Sequence, residues 1–378
     1  MRILLMADGM RAGGAETHIE TLARGLAKRG HTVALFSEGG AVADRLARDG
    51  IRTVTVPHVG RDPVRFFAAR RELRRLMRAE RFDILHAHTR MTALISRKIC
   101  RACGRKCRKT ARIVTVHACF RTSPLFRLLC DWGDRTVAVS EDLRAYVADA
   151  YRVPAECVDV IPNGVDTARF CPPTGKRNAA TVRVLFVSRL DADCSAGALL
   201  LCAVAARFAR REDFLRFSVT VAGGGAEFGR LTRAAQAVNR SAGRTLVSVI
   251  DPNRSDAPDL SDLYRAADIF VGVSRAAMEA AASGCAVVLC GNEGYGGILS
   301  LDRADLAAGN FCCRGEPLPT IDRLANDLET LLTSPDLVAS LGSSCRAWIC
   351  RDFSADAMCR ATEECYRKGQ ERAGETFW

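Results

Sequence analysis

The chain has 378 residues, of which 48% are hydrophobic and 26% are charged, and its net charge is +12. This length predicts two domains, and no uninterrupted apolar run approaches the roughly 20 residues that a membrane-spanning helix needs. The first apolar run is short and is soon followed by Asp8, which is not typical of a signal peptide. We therefore expect a cytoplasmic protein whose 17 cysteines are reduced thiols rather than a disulfide framework.

Short apolar runs alternate with amphipathic segments, which predicts parallel sheets covered by helices on both faces. A break at Pro162-Asn163-Gly164 and another at 172–175 separate two such series. The predicted strands are 2–7, 32–36, 53–56, 83–87, 112–116, 135–139 and 158–161, then 182–187, 217–222, 245–249, 268–271 and 286–289. The clearest predicted helices are 63–80, 141–151 and 355–370.

The glycine pair Gly13-Gly14 stands between the first strand and an amphipathic helix that ends at Gly30. Glycine lets the backbone approach a ligand closely, and the start of a helix offers N–H groups to an anion. A plain tight turn is one alternative. A dinucleotide-binding loop is another, since Glu38 follows the next strand as a ribose ligand would, although the glycines do not have G-x-G-x-x-G spacing.

Positive charge is concentrated in the first series. Residues 1–165 carry 30 Lys and Arg against 17 Asp and Glu, the remainder carries 25 against 26, and the stretch 84–130 contains no acid. The helix 63–80 adds Arg65, Arg70, Arg71, Arg74, Arg75 and Arg78 beside Phe66, Phe67, Leu73, Leu76 and Met77. These charges either solvate a face or meet an anionic partner. An anionic membrane surface fits better than nucleic acid, because no nucleic-acid module is recognisable and only 6% of residues are aromatic.

Polar or small residues follow the predicted strands of the second series, where ligands of such sheets bind. Arg189 comes directly after one strand, and the glycines of 223–225 follow the next. A later helix carries a single acid, Glu279, before three alanines. Glu279 is either a solvated helix residue or a polar group that faces a ligand.

Seven segments carry a combined pattern: GGAE (13–16), FDILHAHTR (82–90), IVTVHACF (113–120), DRTVAVSEDL (134–143), VIPNGVDTARF (160–170), VLFVSRLD (184–191) and MEAAASGCAVV (278–288). Taken in order, these segments resemble the retaining glycosyltransferases of family four, which have the α/β GT-B fold of two Rossmann-like domains facing a deep cleft. The resemblance covers nearly the whole chain. It implies an acceptor-side domain over 1–170, a nucleotide-sugar-binding domain over 171–354, and a terminal helix, about 355–378, that packs back on the first domain.

The resemblance also implies an activity: transfer of a hexose from a nucleotide-sugar to a sugar or lipid-linked acceptor of the cell envelope, with no cofactor and no metal ion. The implied site has Gly13 and Gly14 at the diphosphate, Arg189 paired with it, Ser274 and Arg275 as further donors, Glu279 on the ribose and His117 beside the transferred sugar. Guanidinium and amide groups suit this chemistry because the leaving nucleotide gains negative charge in the transition state.

Two positions depart from the family pattern. Cys194 stands five residues after Arg189, where the family usually has Lys, and Val271 stands eight residues before Glu279, where it usually has Glu. The first change removes a cation and the second a contact to sugar hydroxyls, and Arg275 is a candidate for compensation. An epimerase-like GT-B enzyme, a non-catalytic nucleotide-sugar-binding subunit and an NAD-dependent dehydrogenase therefore stay open as alternatives.

Two smaller groups of residues have competing interpretations. Cys100, Cys103, Cys107 and Cys119 have a spacing that could bind zinc, although scattered thiols are the better interpretation because the spacing is irregular. His86 and His88 lie on one side of a strand end, where they either touch an acceptor or are structural.

Overall fold

The structure is a computed structural model. It describes residues 1–11, 13–56, 62–97, 99, 103, 110–120, 124–175, 181–211, 217–254, 257–303 and 305–375. The chain forms two compact units, Met1–Gly164 with Ala355–Trp378 and Val165–Ser354; the sequence predicts the boundary between 170 and 171.

A seven-stranded parallel sheet forms the centre of the first unit, in the order β3-β2-β1-β4-β5-β6-β7. Its strands are β1 (Arg2–Met6), β2 (Thr32–Ser37), β3 (Arg52–Thr55), β4 (Ile84–Ala87), β5 (Ala111–Val116), β6 (Arg135–Ala138) and β7 (Val158–Val160). Ile3 of β1 pairs with Val33 on one side and with Ile84 on the other. Because β1 is buried on both faces, it is a continuous apolar run rather than an alternating one.

Six helices lie between these strands in the described part of the first unit. They are α1 (Gly14–Lys28), α2 (Ala41–Arg48), α3 (Pro63–Ala79), α4 (Arg90–Ser96), α5 (Pro124–Leu129) and α6 (Glu141–Tyr151). Local chemistry explains where α3 begins, since Asp62 accepts a hydrogen bond from the Val64 N–H and Pro63 occupies the first turn.

The terminal helix, Ala355–Glu375, packs on the first unit. Tyr366 and Cys359 are buried in the same core as Ile3 and Ile113. Its Glu363 accepts hydrogen bonds at 2.7 Å from Arg29 Nε, and its Oε1 lies 2.8 Å from His31 Nε2. The first unit is therefore completed by the last segment of the chain.

A six-stranded sheet forms the centre of the second unit, in the order β10-β9-β8-β11-β12-β13. Its strands are β8 (Val182–Val187), β9 (Phe217–Ala222), β10 (Val247–Ile250), β11 (Ile269–Gly272), β12 (Ala286–Gly291) and β13 (Gly294–Ile298). The sequence predicts all of these except β13, which runs antiparallel to β12. Its sequence GYGGI contains three glycines, which are depleted in strands and hide the pattern.

The helices of the second unit cover both faces of this sheet. They are α7 (Ala196–Phe208), α8 (Phe228–Ala242), α9 (Leu260–Ala266), α10 (Ser274–Ala282), α11 (Asp305–Ala308), α12 (Ile321–Leu332) and α13 (Pro335–Asp352), and the terminal helix of the first unit is α14. Ala280, Ala281 and Ala282 of α10 are fully buried, which allows α13 to pack closely against α10 and β12.

Both sheets have the strand order of a Rossmann fold, so each has a switch point where the order reverses: between β1 and β4 in the first and between β8 and β11 in the second. The predicted α/β fold with two Rossmann-like sheets is confirmed. Ligands of such sheets bind beyond the carboxyl ends of the strands at the switch point. Among the described residues, no helix combines the length and the apolar character that crossing a membrane requires.

Candidate functional site

The glycine loop lies at the end of β1, at the switch point of the first sheet. The Gly13 backbone is extended, with φ −178°, so it does not require glycine; its carbonyl accepts hydrogen bonds from the N–H and the hydroxyl of Thr17. Gly14 begins α1 and is exposed, and a Cβ there would meet no atom of the described residues within 4 Å. A Cβ at Gly13 would collide with the Glu16 carboxylate, so of the two glycines only Gly14 leaves open space at the start of α1.

Three histidines gather beside this loop. His18 is on α1, His88 follows β4 and His117 follows β5. The ring centroids of His18 and His117 are 4.9 Å apart, and His88 Nδ1 lies 3.3 Å from His117 Nε2. His18 Nδ1 is 2.8 Å from Asn163 Oδ1. The structure thus places His117, predicted from the sequence, in a cluster with His18, which the sequence analysis did not single out.

His86 is a structural residue. Its Nδ1 lies 2.7 Å from the Tyr366 hydroxyl and its Nε2 lies 2.7 Å from Thr115 Oγ1, so both ring nitrogens are paired inside the core. The His86 ring packs on that of His88 with centroids 4.2 Å apart. Of the two interpretations open for His86, the structural one is confirmed.

Burial keeps three of the histidines near this edge of the first sheet uncharged. Desolvation lowers the pKa of His117 to about 4 and that of His86 to about 3, and it holds the pKa of His88 well below its ordinary value. At pH 7 these imidazoles are uncharged, so each offers one donor and one acceptor nitrogen.

Arg189 follows β8 at the switch point of the second sheet and is engaged by acids. Its Nη1 lies 3.0 Å from Asp191 and its Nη2 lies 3.1 Å from Asp193, with 58% of the side chain exposed. Cys194 Sγ is 3.4 Å from the same Nη2. Because burial raises the pKa of the Cys194 thiol, this side chain stays neutral and supplies no charge in place of the usual lysine.

The glycines of 223–225 support the Arg189 loop. Gly224 accepts a hydrogen bond from the Leu190 N–H, and the Ala226 N–H donates to Asp191 Oδ1. A Cβ at Gly223 would collide with the Ser188 carbonyl oxygen. Close backbone contact with the neighbouring loop, rather than contact with a ligand, accounts for this glycine.

Arg275 and Glu279 form an ion pair within α10. Arg275 Nε lies 2.9 Å from Glu279 Oε1, and the two side chains are 14% and 10% exposed. Burial and the nearby Glu279 raise the pKa of Tyr264 well above its ordinary value. Arg275, the residue proposed to compensate for the missing lysine, thus shares its charge with the acid predicted to bind the ribose.

The backbone at the start of α10 is strained. Ser274 has φ 58°, and the segment that faces it contains three more non-glycine residues in the left-handed region, Asn310, Phe311 and Cys313. The Ser274 N–H donates to the Phe311 carbonyl at 2.9 Å, so this predicted donor already has a partner. Such strain is typical of ligand-binding segments, and no sequence pattern distinguishes 310–313 in advance.

Val271 lies at a position that no ligand can reach. It is fully buried in β11, where it pairs with Phe186 and Val288. The interpretation of Val271 as the loss of a sugar contact is therefore wrong, because a side chain here points into the core of the sheet. Only Val273 separates β11 from α10, so this connection leaves little room for a further acid.

The exposed face of α3 is basic and has two exposed apolar side chains. Arg71, Arg75 and Arg78 are exposed, as are Val64 (77%) and Phe67 (64%). Leu73, Leu76 and Met77, which lie beside these arginines in the sequence, are buried in the core of the first unit. Most of the basic residues of 98–109, together with Cys100 and Cys107, lie outside the described residues.

One protein-family model matches the sequence of the first unit. Residues 12–169 match the family model described as Glycosyltransferase Family 4. No curated protein matches the sequence.

Solved structures match over nearly the whole chain. A glycosyltransferase from Rickettsia africae has 17% identity and a TM-score of 0.75, with 97% of this chain and 98% of that chain covered. Anabaena HepE has 16% identity and a TM-score of 0.71, covering 96% and 99%. The glycosyltransferase WaaG has 14% identity and a TM-score of 0.59, covering 97% and 98%. At these identities the likeness shows the fold, which is GT-B, and the Glycosyltransferase Family 4 model matches only residues 12–169, which lie mostly in the first unit.

Proposed function

We propose that this glycosyltransferase moves a hexose from a nucleoside diphosphate sugar, with retention, to a lipid-linked or glycolipid acceptor. The observation that carries the proposal is the position of Arg189 and of the start of α10, which follow the two strands that flank the switch point of the second sheet. Diphosphates bind at such strand ends and helix starts. Structures of HepE with UDP, and with UDP and glucose, support UDP as the first nucleotide to test.

In this proposal the second unit handles the departing nucleotide. Arg189 exchanges its contacts to Asp191 and Asp193 for the diphosphate, whose negative charge grows as the sugar–oxygen bond breaks. Glu279 accepts hydrogen bonds from the ribose hydroxyls, while Arg275 holds its carboxylate in place. Since Arg189 and the helix start supply positive charge, the proposed transfer uses no cofactor and no metal ion, and should continue in the presence of EDTA.

The first unit is proposed to handle the sugar and the acceptor. The open space at Gly14 leaves room for a ligand at the first switch point, and His117 presents a neutral imidazole at the same edge of the sheet. Neutral hydrogen-bonding groups suit uncharged sugar hydroxyls, because they can donate and accept without the desolvation cost of a charge.

The acceptor is proposed to lie in an anionic membrane surface at the inner face of the cell membrane. The exposed arginines of α3 and the exposed Phe67 support this, because each basic residue near an anionic leaflet contributes about 1 kcal/mol and an exposed aromatic ring can insert. The structure of WaaG, a glycosyltransferase involved in lipopolysaccharide biosynthesis, supports a glycolipid acceptor.

Co-sedimentation with vesicles tests the membrane proposal. We expect binding to vesicles that contain anionic lipid, a steep loss at high salt, and a further loss in the variant Arg71→Glu/Arg78→Glu. The matched control is Arg233→Glu/Arg240→Glu, the same charge change on the exposed face of α8, and it should bind like the wild type. Equal recovery in the supernatant with and without anionic lipid would favour a soluble acceptor.

A second candidate is a protein that binds nucleotide-sugars but does not transfer them. The pairing of Arg189 with two carboxylates and the neutral Cys194 favour it, since both reduce the positive charge available to a leaving group. Release of UDP from UDP-glucose in the absence of acceptor separates the two, because an active transferase of this type hydrolyses its donor slowly and a binding subunit does not.

The experiment that tests the proposal is a thermal-shift screen of nucleotide-sugars. A ligand at 100 times its dissociation constant stabilises the folded state by about 2.7 kcal/mol, so even modest affinity raises the melting temperature. We expect UDP- or GDP-sugars to raise it and NAD to have no effect. Stabilisation by NAD alone would indicate a dehydrogenase, and the anomeric configuration of the product, read by NMR, tests retention.

A further inference from the structure

We propose that His18, His88 and His117 form a binding site for a divalent transition-metal ion, with zinc as the natural candidate. Each of the three residues offers a ring nitrogen within 4.8 Å of the other two. The sequence predicts no metal site, and this proposal does not depend on the proposed function. Where that function holds, an ion here would occupy His117 and inhibit transfer.

The ring positions match those of three imidazoles around one ion. The centroid separations are 4.9 Å for His18 and His117, 5.5 Å for His88 and His117, and 5.6 Å for His18 and His88. Zinc–nitrogen bonds of about 2.05 Å in tetrahedral geometry place the centroids of two imidazole ligands about 5.2 Å apart. The triangle of rings therefore needs only small adjustments to hold an ion.

Two of the nitrogens are already at ligand spacing, and another lacks a partner. His88 Nδ1 and His117 Nε2 are 3.3 Å apart, and two nitrogens bound to one tetrahedral zinc lie about 3.3 Å apart. His88 is only 4% exposed, and its buried Nε2 has no hydrogen-bond partner among the described residues. One imidazole gives one nitrogen to an ion, so with Nδ1 as the ligand atom of His88 the ion does not supply a partner for Nε2.

The surroundings fix the rings as they do in known metal sites. His18 Nδ1 faces Asn163 Oδ1 at 2.8 Å, which makes Nδ1 the protonated nitrogen and leaves the lone pair on Nε2. Histidine ligands commonly donate their second N–H to an oxygen in this way. His86 packs against His88 with both of its own nitrogens paired, so it supports the site without being a ligand.

The ligand set selects the class of ion. Three neutral imidazoles without a carboxylate suit zinc, cobalt, nickel or copper, whereas magnesium and calcium require oxygen ligands. Three protein ligands also leave one tetrahedral position for water or a small ligand, as in catalytic zinc sites. The inferred site is therefore open rather than a closed structural one.

Cobalt(II) titration of the full chain, after removal of metal by a chelator, tests the proposal. We expect the visible absorption of tetrahedral cobalt, its loss on addition of one equivalent of zinc, and no response to magnesium. A sulfur-to-cobalt charge-transfer band in the near ultraviolet would overturn the proposal, since it would place the ion on the cysteines. Absence of a visible spectrum would overturn it as well.

Matched variants assign the ligands. His18→Gln and His88→Gln should each weaken cobalt binding at least tenfold, and His31→Gln, a histidine of the same unit outside the cluster, should bind like the wild type. Circular dichroism confirms that each variant folds. Asn163→Leu should weaken binding about 10- to 100-fold through loss of the contact to His18, with Asn163→Asp restoring it. Equal affinity in wild type and both His variants would overturn the site.

Discussion

The carboxyl edges of the two sheets occupy equivalent places in the same strand order, but their chemistry is opposite. At the first sheet, the neutral imidazoles of His88 and His117 lie beside His18. At the second, Arg189 pairs with two exposed acids and Arg275 pairs with Glu279. The histidines of the first edge offer hydrogen bonds from neutral groups, and the arginines of the second offer charge that is already balanced within the protein.

This difference divides the proposed reaction between the two units. A sugar is uncharged and polar, so neutral imidazoles can bind it without a large desolvation cost. A diphosphate is anionic, so it requires cations, and internal carboxylates can hold those cations in place until the ligand displaces them. Two sheets with similar strand order therefore serve two chemistries because the residues that follow their strands differ.

The largest expected effect follows from removing Arg189. Arg189→Ala should lower the turnover number about 100-fold or more and weaken UDP binding, because the guanidinium stabilises charge that develops in the transition state. The measurement is steady-state kinetics with isothermal titration of UDP. The control Arg230→Ala removes another exposed, ion-paired arginine of the same unit and should leave both unchanged. If Arg189→Ala had the kinetics of the wild type, Arg189 and its neighbours after β8 would have no role in the transfer.

Breaking the buried pair of α10 should cost stability as well as affinity. Glu279→Ala leaves Arg275 buried without its carboxylate, which costs about 3–5 kcal/mol of unfolding free energy, and it removes the proposed ribose contact. The double variant Arg275→Met/Glu279→Leu should recover most of the stability, measured by urea unfolding, and none of the UDP affinity. Recovery of both would show that Glu279 has only a structural role.

Substitution of His117, in the histidine cluster of the first sheet, should slow sugar transfer without weakening nucleotide binding. His117→Ala should lower the turnover number about 10- to 100-fold, the effect of losing one or two hydrogen bonds of about 1.5 kcal/mol each. The affinity for UDP, measured by titration calorimetry, should change less than twofold. A large loss of UDP affinity would mean that the two edges do not divide the reaction as proposed.

An ion-paired carboxylate outside the histidine cluster stabilises the first unit. Arg29 and His31 lower the pKa of Glu363 from 4.5 to about 2. The ionised Glu363 therefore stabilises the folded state above pH 4.5, and this contribution is lost as the pH falls from 4.5 through about 2. Glu363→Gln should melt at a lower temperature than the wild type at pH 7, with a smaller difference at pH 3. A difference that stays constant with pH would contradict this assignment.

The smallest expected effect tests whether the carboxylates restrain Arg189. Asp193→Asn removes one exposed partner, and exposed pairs contribute about 0.2–1 kcal/mol, so UDP should bind up to about fivefold more tightly. Asp193 is the better choice because Asp191 also accepts the Ala226 N–H. Weaker binding in Asp193→Asn would mean that the acid positions Arg189 instead of competing with the diphosphate.

Strand positions were predictable because buried parallel strands are short apolar runs separated by amphipathic helices. Arg189, Ser274 and His117 could be placed at strand ends for the same reason. Strand β13 could not, since its glycines remove the side-chain pattern. The sequence also does not show which buried side chains face a ligand. Val271 lies in the sheet interior, and the contact of His18 with His117 joins residues that are 99 positions apart in the chain.

The sequence also does not predict which residues the candidate site residues contact. Nothing local predicts that Phe311 accepts the Ser274 N–H, because the two residues are far apart in the sequence. Leu73, Leu76 and Met77 share a helix with the exposed arginines, yet they face the core, since helical periodicity alone does not say which apolar stripe is buried. Tertiary packing decides these contacts, so they require the structure.

The most direct test of the central claim is titration calorimetry of UDP-glucose, UDP and NAD into the wild type and Arg189→Ala. The account predicts that the wild type binds UDP and UDP-glucose, that Arg189→Ala binds both at least tenfold more weakly, and that neither protein binds NAD. Equal binding of UDP by the two proteins, or binding of NAD in place of UDP, would contradict the assignment of the charged edge to a nucleoside diphosphate sugar.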